Sequence, residues 1–427
     1  MHGPGKRPHV RSLGTAAARA CLHFASGRTG AALLLALACS SSPRRDASTA
    51  AAPARPATTT DGPTEGGEPY TWQPLTRSPQ PSEGPANEVA RACPERDRAL
   101  ERAASFIAER ELRGKPTLDA EDVTLVLRAE GAPYVWPRIW TLSGHAAATQ
   151  VSERFTAWLD GAATRDARRC GVALAREASG REVVVGIALD VLAELDPLPT
   201  EVSIGAWVSV QARMLVPAGS VTVLVLGPRG QPQRVPSSLD GGRVRARFHA
   251  DRPGAFLVQV LAGVDGGPRP VAEAVVTAGE TPHALFTSSP APGEETPASG
   301  APGQALFGMV NGARNSEGAR HLGRDARLDR VAQAHAEAMR AAGRLAHDVG
   351  DGAPGDRVVA AGATARAVGE NVAHAADERH AHRTLWRSPS HRSNLLEPSY
   401  DAIGIGVAQD QDGTLWVCEV FATLHSP

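Results

Sequence analysis

Apolar positions along this chain change period several times, and each change marks a different kind of element. Leu100, Ala103, Ala104, Ile107, Ala108 and Leu112 recur at helical spacing and predict a helix with one buried face. Further on, Gly171-Val172-Ala173-Leu174 and Val183-Val184-Val185-Gly186-Ile187 flank a turn containing Ser179-Gly180, which predicts a hairpin. Strand-like runs then start at Trp207, Ser220, Arg243, Gly254 and Val271. In one of them Val244, Ala246 and Phe248 alternate with Arg243, Arg245 and Arg247, so the arginine row reads as the solvated side of a strand. Short strands at this rhythm, with turns at Gly227-Pro228-Arg229-Gly230 and Asp240-Gly241-Gly242, predict an immunoglobulin-like β-sandwich. Helical spacing returns at Leu328, Val331, Ala332, His335, Met339 and Ala342, which places His335 on an apolar face as a core histidine. The chain closes on Ile403-Gly404-Ile405-Gly406-Val407 and Trp416 to Phe421, a second hairpin.

The first and last of these regions share their spacing. Asp97-x-x-Leu100 matches Asp325-x-x-Leu328, and 58 residues separate both Leu100 from Trp158 and Leu328 from Trp386. Nine residues separate Gly171 from Gly180 and Gly404 from Gly413. Residues 87–195 therefore read as a diverged copy of 304–427. A constant offset of 228 maps His347 to Asp119, Glu370 to Leu142 and Asn371 to Ser143, so the copy has lost its polar set; His145 stands nearby without a partner.

Outside the periodic regions composition takes over. Residues 1–39 carry a basic segment without acids, the apolar run Ala31 to Ala38, and then Cys39. The run is too short to span a bilayer and fits a signal peptide, with Cys39 as the lipidation site of a lipoprotein and a plain secretory signal as the alternative. Residues 40–86 are Ser-, Pro-, Ala- and Thr-rich and read as a disordered tether; 283–303 read as a second linker between the sandwich at 197–282 and the last unit. Charge is balanced at 45 basic against 46 acidic residues, which argues against nucleic acid as a partner. In an exported chain Cys93 and Cys170 are the natural disulfide, and Cys418 is left as a buried strand thiol.

Candidate chemistry gathers in the last unit. His347 follows Gly343 past a helix end; Glu370 follows Gly369, which permits a tight bend; Pro389 ends the helix that reaches Trp386, leaving His391 in a loop. His374, His380 and His382 on the preceding segment have no histidine four residues on and read as a solvated face.

Taken in order, Asn311-Gly312-Ala313-Arg314, His335, His347, Gly369-Glu370-Asn371, Trp386, Ser388-Pro389-Ser390-His391-Arg392, Gly404-Ile405-Gly406 and Phe421 resemble the CAP superfamily (cysteine-rich secretory, antigen-five and pathogenesis-related proteins) in its bacterial form. The resemblance covers under a third of the chain. It implies that the chain ends in a three-layer α-β-α sandwich; with the β-sandwich and the CAP-like α/β copy read before it from periodicity and spacing, the fold class is α+β. It also implies a cleft lined by His347, Glu370 and His391, with Asn371 beside Glu370. The family's fourth acidic position falls on Pro389, and Glu419 is the substitute. Two His and one Glu can hold Zn²⁺ with an open position for water, or work as an acid–base pair. The readings are an envelope-anchored or secreted protein binding a small apolar or lipid-like ligand, with or without a divalent metal; a metal-assisted hydrolase of envelope or extracellular polymer; and a structural envelope protein. Binding stands ahead of catalysis, because no Ser or Cys nucleophile sits in a motif with mechanics.

Overall fold

Two helices of this chain begin alike. Asp97 and Asp325 each sit in extended backbone, and one carboxylate oxygen accepts the N–H groups two and three residues on, at 2.8 and 3.2 Å in both places. Such caps satisfy donors that the helix itself leaves open. The computed structural model describes residues 85–424 except 116, 117, 119, 145–147, 162–166, 179, 265, 266, 282–289 and 296–299. The leader with Cys39, nearly all of the tether, Asp119 and His145 lie outside the described residues.

The first unit runs α1 (Pro85–Ala90), α2 (Arg98–Leu112), α3 (Ala120–Ala129), β1 (Arg138–Gly144), α4 (Ala148–Asp160), β2 (Arg168–Arg176) and β3 (Glu182–Asp190). Its antiparallel sheet has the order β1-β3-β2. The stripe predicted on α2 is buried against one face together with α3, while α1 and α4 pack on the other. Cys93 and Cys170 form the disulfide, with Cα atoms 5.7 Å apart.

A two-sheet sandwich follows: β4 (Ala193–Leu195), β5 (Glu201–Val202), β6 (Ala206–Met214), β7 (Ser220–Leu226), β8 (Gln233–Val235), β9 (Ser237–Asp240), β10 (Arg243–Ala250), β11 (Gly254–Val264) and β12 (Gly267–Ala278). The sheets are β4-β6-β10-β9 and β5-β12-β11-β7-β8, closed on a core that includes Val244, Phe248 and Phe256. Arg243, Arg245 and Arg247 point to solvent. Ala193–Leu195, assigned to the first unit from sequence, pairs with β6 and belongs to the sandwich.

The last unit runs α5 (Pro302–Ser316), β13 (Gly323–Arg324), α6 (Ala326–Ala342), α7 (Pro354–Ala360), β14 (Ala365–Ala375), α8 (Glu378–Arg387), α9 (Pro389–Leu396), β15 (Ala402–Gln409) and β16 (Leu415–Leu424). The sheet β13-β15-β16-β14 carries α6 and α7 on one face and α5, α8 and α9 on the other, the expected three layers. Strand order, layering and detail repeat the first unit. A Cβ added to Gly404 would fall 2.0 Å from the Leu328 carbonyl carbon, and one added to Gly171 2.3 Å from that of Leu100. Only glycine lets each helix rest on its strand this closely. The hairpin turns match too: Glu177 and Asp410 take equivalent backbone bonds from Gly180 and Gly413.

Register corrects the residue map. Gly171 pairs through Ile187 to Ile139, and Gly404 pairs through Val420 to Glu370. Ile139 and Trp140, not Leu142 and Ser143, therefore stand where Glu370 and Asn371 stand, and Gly186 stands at Glu419. A Cβ on Gly186 would meet the Phe155 ring at 2.3 Å, and Trp140 and Trp158 lie 5.5 and 5.6 Å from that ring. An aromatic plug replaces the polar pair.

A buried polar chain joins the three units. Arg128 of α3 pairs with Glu273 of β12, Glu273 accepts from Gln259 of β11, and Gln259 reaches Ser388 and Ser390 in the last unit.

Candidate functional site

Glu370 sits at the centre of the polar set, buried on the α6 face of the sheet. Its Oε1 accepts the Nδ1–H of His347 at 2.9 Å, and its Oε2 is ion-paired with Arg357 of α7. Cys418 Sγ lies 3.5 Å from the same Oε2. Arg357 also donates to the carbonyls of His347 and Gly352, so one guanidinium fixes both the carboxylate and the loop carrying the histidine. That loop begins where α6 ends at Gly343, in left-handed conformation with φ 57°. Nδ1 is the nitrogen of His347 that bonds Glu370, which leaves Nε2 for other partners. His335 is the core histidine expected, fully buried, bonded to Asp351 at 2.7 Å and the Ala346 carbonyl at 3.0 Å.

His391 is not in a loop. Pro389 ends α8 and also opens α9, whose first turn holds the imidazole. Ser388 caps nothing with its own side chain. Instead Oε1 of Gln259, on the β-sandwich, accepts the Ser390 N–H at 2.9 Å. Burial, with the charge of His347 adding to it, drives the His391 pKa down to about 3. Its Nδ1 is buried and makes no hydrogen bond among the described residues.

Asn371 and Glu419, both assigned to the cleft from sequence, do not line it. Alternation along β14 turns Asn371 to the face opposite Glu370, and Glu419 is its cross-strand partner. There Asn371 donates to Glu419 Oε2 and to the His391 carbonyl, both at 3.2 Å, and accepts from Asn394 at 3.0 Å. Both are fully buried. Burial raises the Glu419 pKa to about 7, against the lowering effect of Asn371. Alternation also puts Cys418 on the Glu370 face, and burial followed by the nearby Glu370 charge pushes its thiol pKa well up.

His347, Glu370 and His391 do come together, at a cavity of about 740 Å³. The last unit adds Ser390, Ser393, Asn394 and Tyr400; the sandwich supplies Leu224, Gln231, Arg234, Leu261 and the start of β12; the first unit supplies Trp136. The start of β12 lies close over the histidine: a Cβ on Gly267 would meet His347 Cβ at 2.9 Å. Gln231 donates to the Leu396 carbonyl at 2.8 Å and the Trp136 indole to the Pro270 carbonyl at 2.9 Å, tying the walls together.

The set His347, His391 and Glu370 fits a divalent cation poorly. Both carboxylate oxygens are engaged, one by a buried guanidinium whose permanent charge opposes a cation. Among the described residues no group of three or more His, Cys, Asp or Glu is arranged to hold a metal.

Of the other histidines, His374 is exposed against Trp416, as read, whereas His382 is fully buried and bonded to the Pro292 carbonyl at 2.9 Å. The linker stretch around Pro292 covers α8 there, so that face is not solvated. Sequence reasoning missed Arg357, Gln259 and Trp136. None lies in a motif or at a telling period, since their roles depend on packing between distant segments.

The model of the CAP family, described as the cysteine-rich secretory protein family, matches residues 307–420. No curated protein matches the chain. Solved structures similar to it include an outer surface protein of Borrelia burgdorferi (20% identity, 29% of this chain and 92% of that one, TM-score 0.28). An extracellular SCP-domain protein of Bacillus anthracis is 16% identical over 54% of this chain and 86% of its own, with TM-score 0.27. A cysteine-rich secretory protein of Staphylococcus aureus is 14% identical over 54% and 88%, with TM-score 0.25.

Proposed function

Residues 307–420 are a CAP domain, and from that premise we propose that this is an extracytoplasmic protein that holds a small ligand in the cavity beneath its β-sandwich. The cavity itself carries the reading. It has the volume of a small-molecule site, and its wall is built from three units with His347 and His391 in its lining. The diverged copy has Ile139 where the last unit has the cavity-side Glu370. Export, with Cys39 as a lipid anchor, is part of the proposal and is supported by the Cys93–Cys170 disulfide. Among the described residues no helix is long and apolar enough to cross a membrane. The ligand has an apolar face and a polar edge, because leucines and prolines share the lining with arginines and amides.

Native mass spectrometry of the full chain, purified without denaturation from an exporting host, tests this. A retained small molecule is expected, lost in Ser393→Trp, which fills the cavity. A ligand-free spectrum, or retention in that variant, contradicts the reading.

Hydrolysis is the second reading, and one observation favours it: Glu370 sets His347 in the tautomer a general base needs. His347→Gln would then abolish turnover of an ester substrate while leaving ligand retention intact.

A further inference from the structure

One residue of the cavity wall is conformationally expensive. Trp136 has φ 61°, and among the described residues no other non-glycine has a positive φ. A bulky side chain in this region is strained, and the following Pro137 restricts it further. Yet the side chain is 38% exposed, so the strain is not offset by burying it in a core. It is held instead by the indole bond to the Pro270 carbonyl and by the Arg269 guanidinium, 4.8 Å from the ring centroid.

The charges around it are unevenly employed. Each acid in the lining is already occupied: Asp348 accepts the N–H groups of Gly350 and Gly352, Glu397 that of Ser399, and Glu370 takes His347 and Arg357. Arg234 and Arg344 also line the cavity and pair with no carboxylate among the described residues; Arg344 spends one bond on the Asp348 carbonyl. A guanidinium offers five N–H donors, so the wall is donor-rich and cationic in effect. Amide oxygens of Gln231 and Asn394 and the Tyr400 hydroxyl add places for hydroxyl groups.

Resting on the small-ligand reading above, we propose that the ligand is an acidic sugar of one or two rings, its carboxylate held by Arg234 and Arg344 and its ring seated on the Trp136 side of the cavity. A sugar ring has an apolar C–H face and a hydroxyl edge, which matches the mixed lining. A cavity of about 740 Å³ has room for one or two such rings.

Calorimetric titration of the full chain with digalacturonate, cellobiose and palmitate decides it. Digalacturonate should bind. Its affinity should fall at least tenfold in Arg234→Gln, a substitution at an exposed strand position, and fall similarly when salt rises from low to molar concentration. Cellobiose should bind at least tenfold more weakly. Comparable cellobiose affinity, or affinity unchanged by both Arg234→Gln and salt, overturns the proposal. Binding of palmitate alone overturns it while leaving the small-ligand reading standing. A retained native ligand with no binding of any of the three also overturns it.

Discussion

At the scale of single residues, the candidate site is two networks back to back. Neighbours Glu370 and Asn371 point to opposite faces of β14, and each recruits its own partners. The residue types in Gly369-Glu370-Asn371 were legible in the sequence, but the faces they serve were not: the bend expected at Gly369 is absent, and that glycine lies inside β14, where a Cβ would meet the Tyr400 hydroxyl at 2.4 Å. Arg357 is the main stabiliser of the cavity-side network. Arg357→Met would leave a buried carboxylate short of its charge partner, so a loss of about 3–5 kcal/mol in urea unfolding is expected; a loss under about 1 kcal/mol would contradict this. Glu419 makes the pH-dependent contribution on the other face. Its pKa rises from 4.5 to about 7 on folding, so the folded chain keeps a proton that the unfolded chain releases above pH 4.5. Stability from this group is fully present below 4.5 and is lost as pH rises through about 7. Glu419→Gln should therefore be more stable than the parent at pH 8, by on the order of 3 kcal/mol, and nearly equal to it at pH 4.5. Parallel stability curves for the two proteins would refute the assignment.

Elements show both how far the sequence could be read and where it stopped. The helix-and-hairpin arrangement shared by the first and last units was legible because its caps, its close-approach glycines and its hairpin turns each demand particular residues at fixed spacing: Asp97 and Asp325, Gly171 and Gly404, Gly180 and Gly413. The finer equivalence was displaced by three residues. Extra length before β14 is cancelled by shorter length after it, so equal totals between leucine and tryptophan hid a change of register. Helix α9 was missed for a different reason: Pro389 stops one helix but is equally suited to start another. Its first turn depends on Gln259, which lies 131 residues away in sequence. Gln259→Leu removes that acceptor and also the partner of Glu273. It should cost about 1–2 kcal/mol, as loss of a helix cap does, and accelerate amide exchange at Ser390 well above that of α6. Unchanged protection at Ser390 would show that the cap is not what holds α9.

On the scale of the whole molecule, the sandwich and the first unit both contribute to the cavity wall. The chain Arg128–Glu273–Gln259–Ser390 runs through all three units and ends one residue from His391. Composition and turn chemistry were enough to place the sandwich, since alternating strands and glycine-rich turns are local signals. Its role over the cleft was not readable, because nothing in a strand pattern says which edge meets another unit. The central claim is that a small molecule occupies the space these units enclose. A crystal structure of the natively purified full chain tests it most directly. The account predicts density for a small organic molecule between His347, His391 and Trp136, with at least one imidazole nitrogen in hydrogen-bond contact. A cavity filled by ordered water alone, or a molecule bound elsewhere with this space collapsed by the β12 segment onto His347, would contradict it.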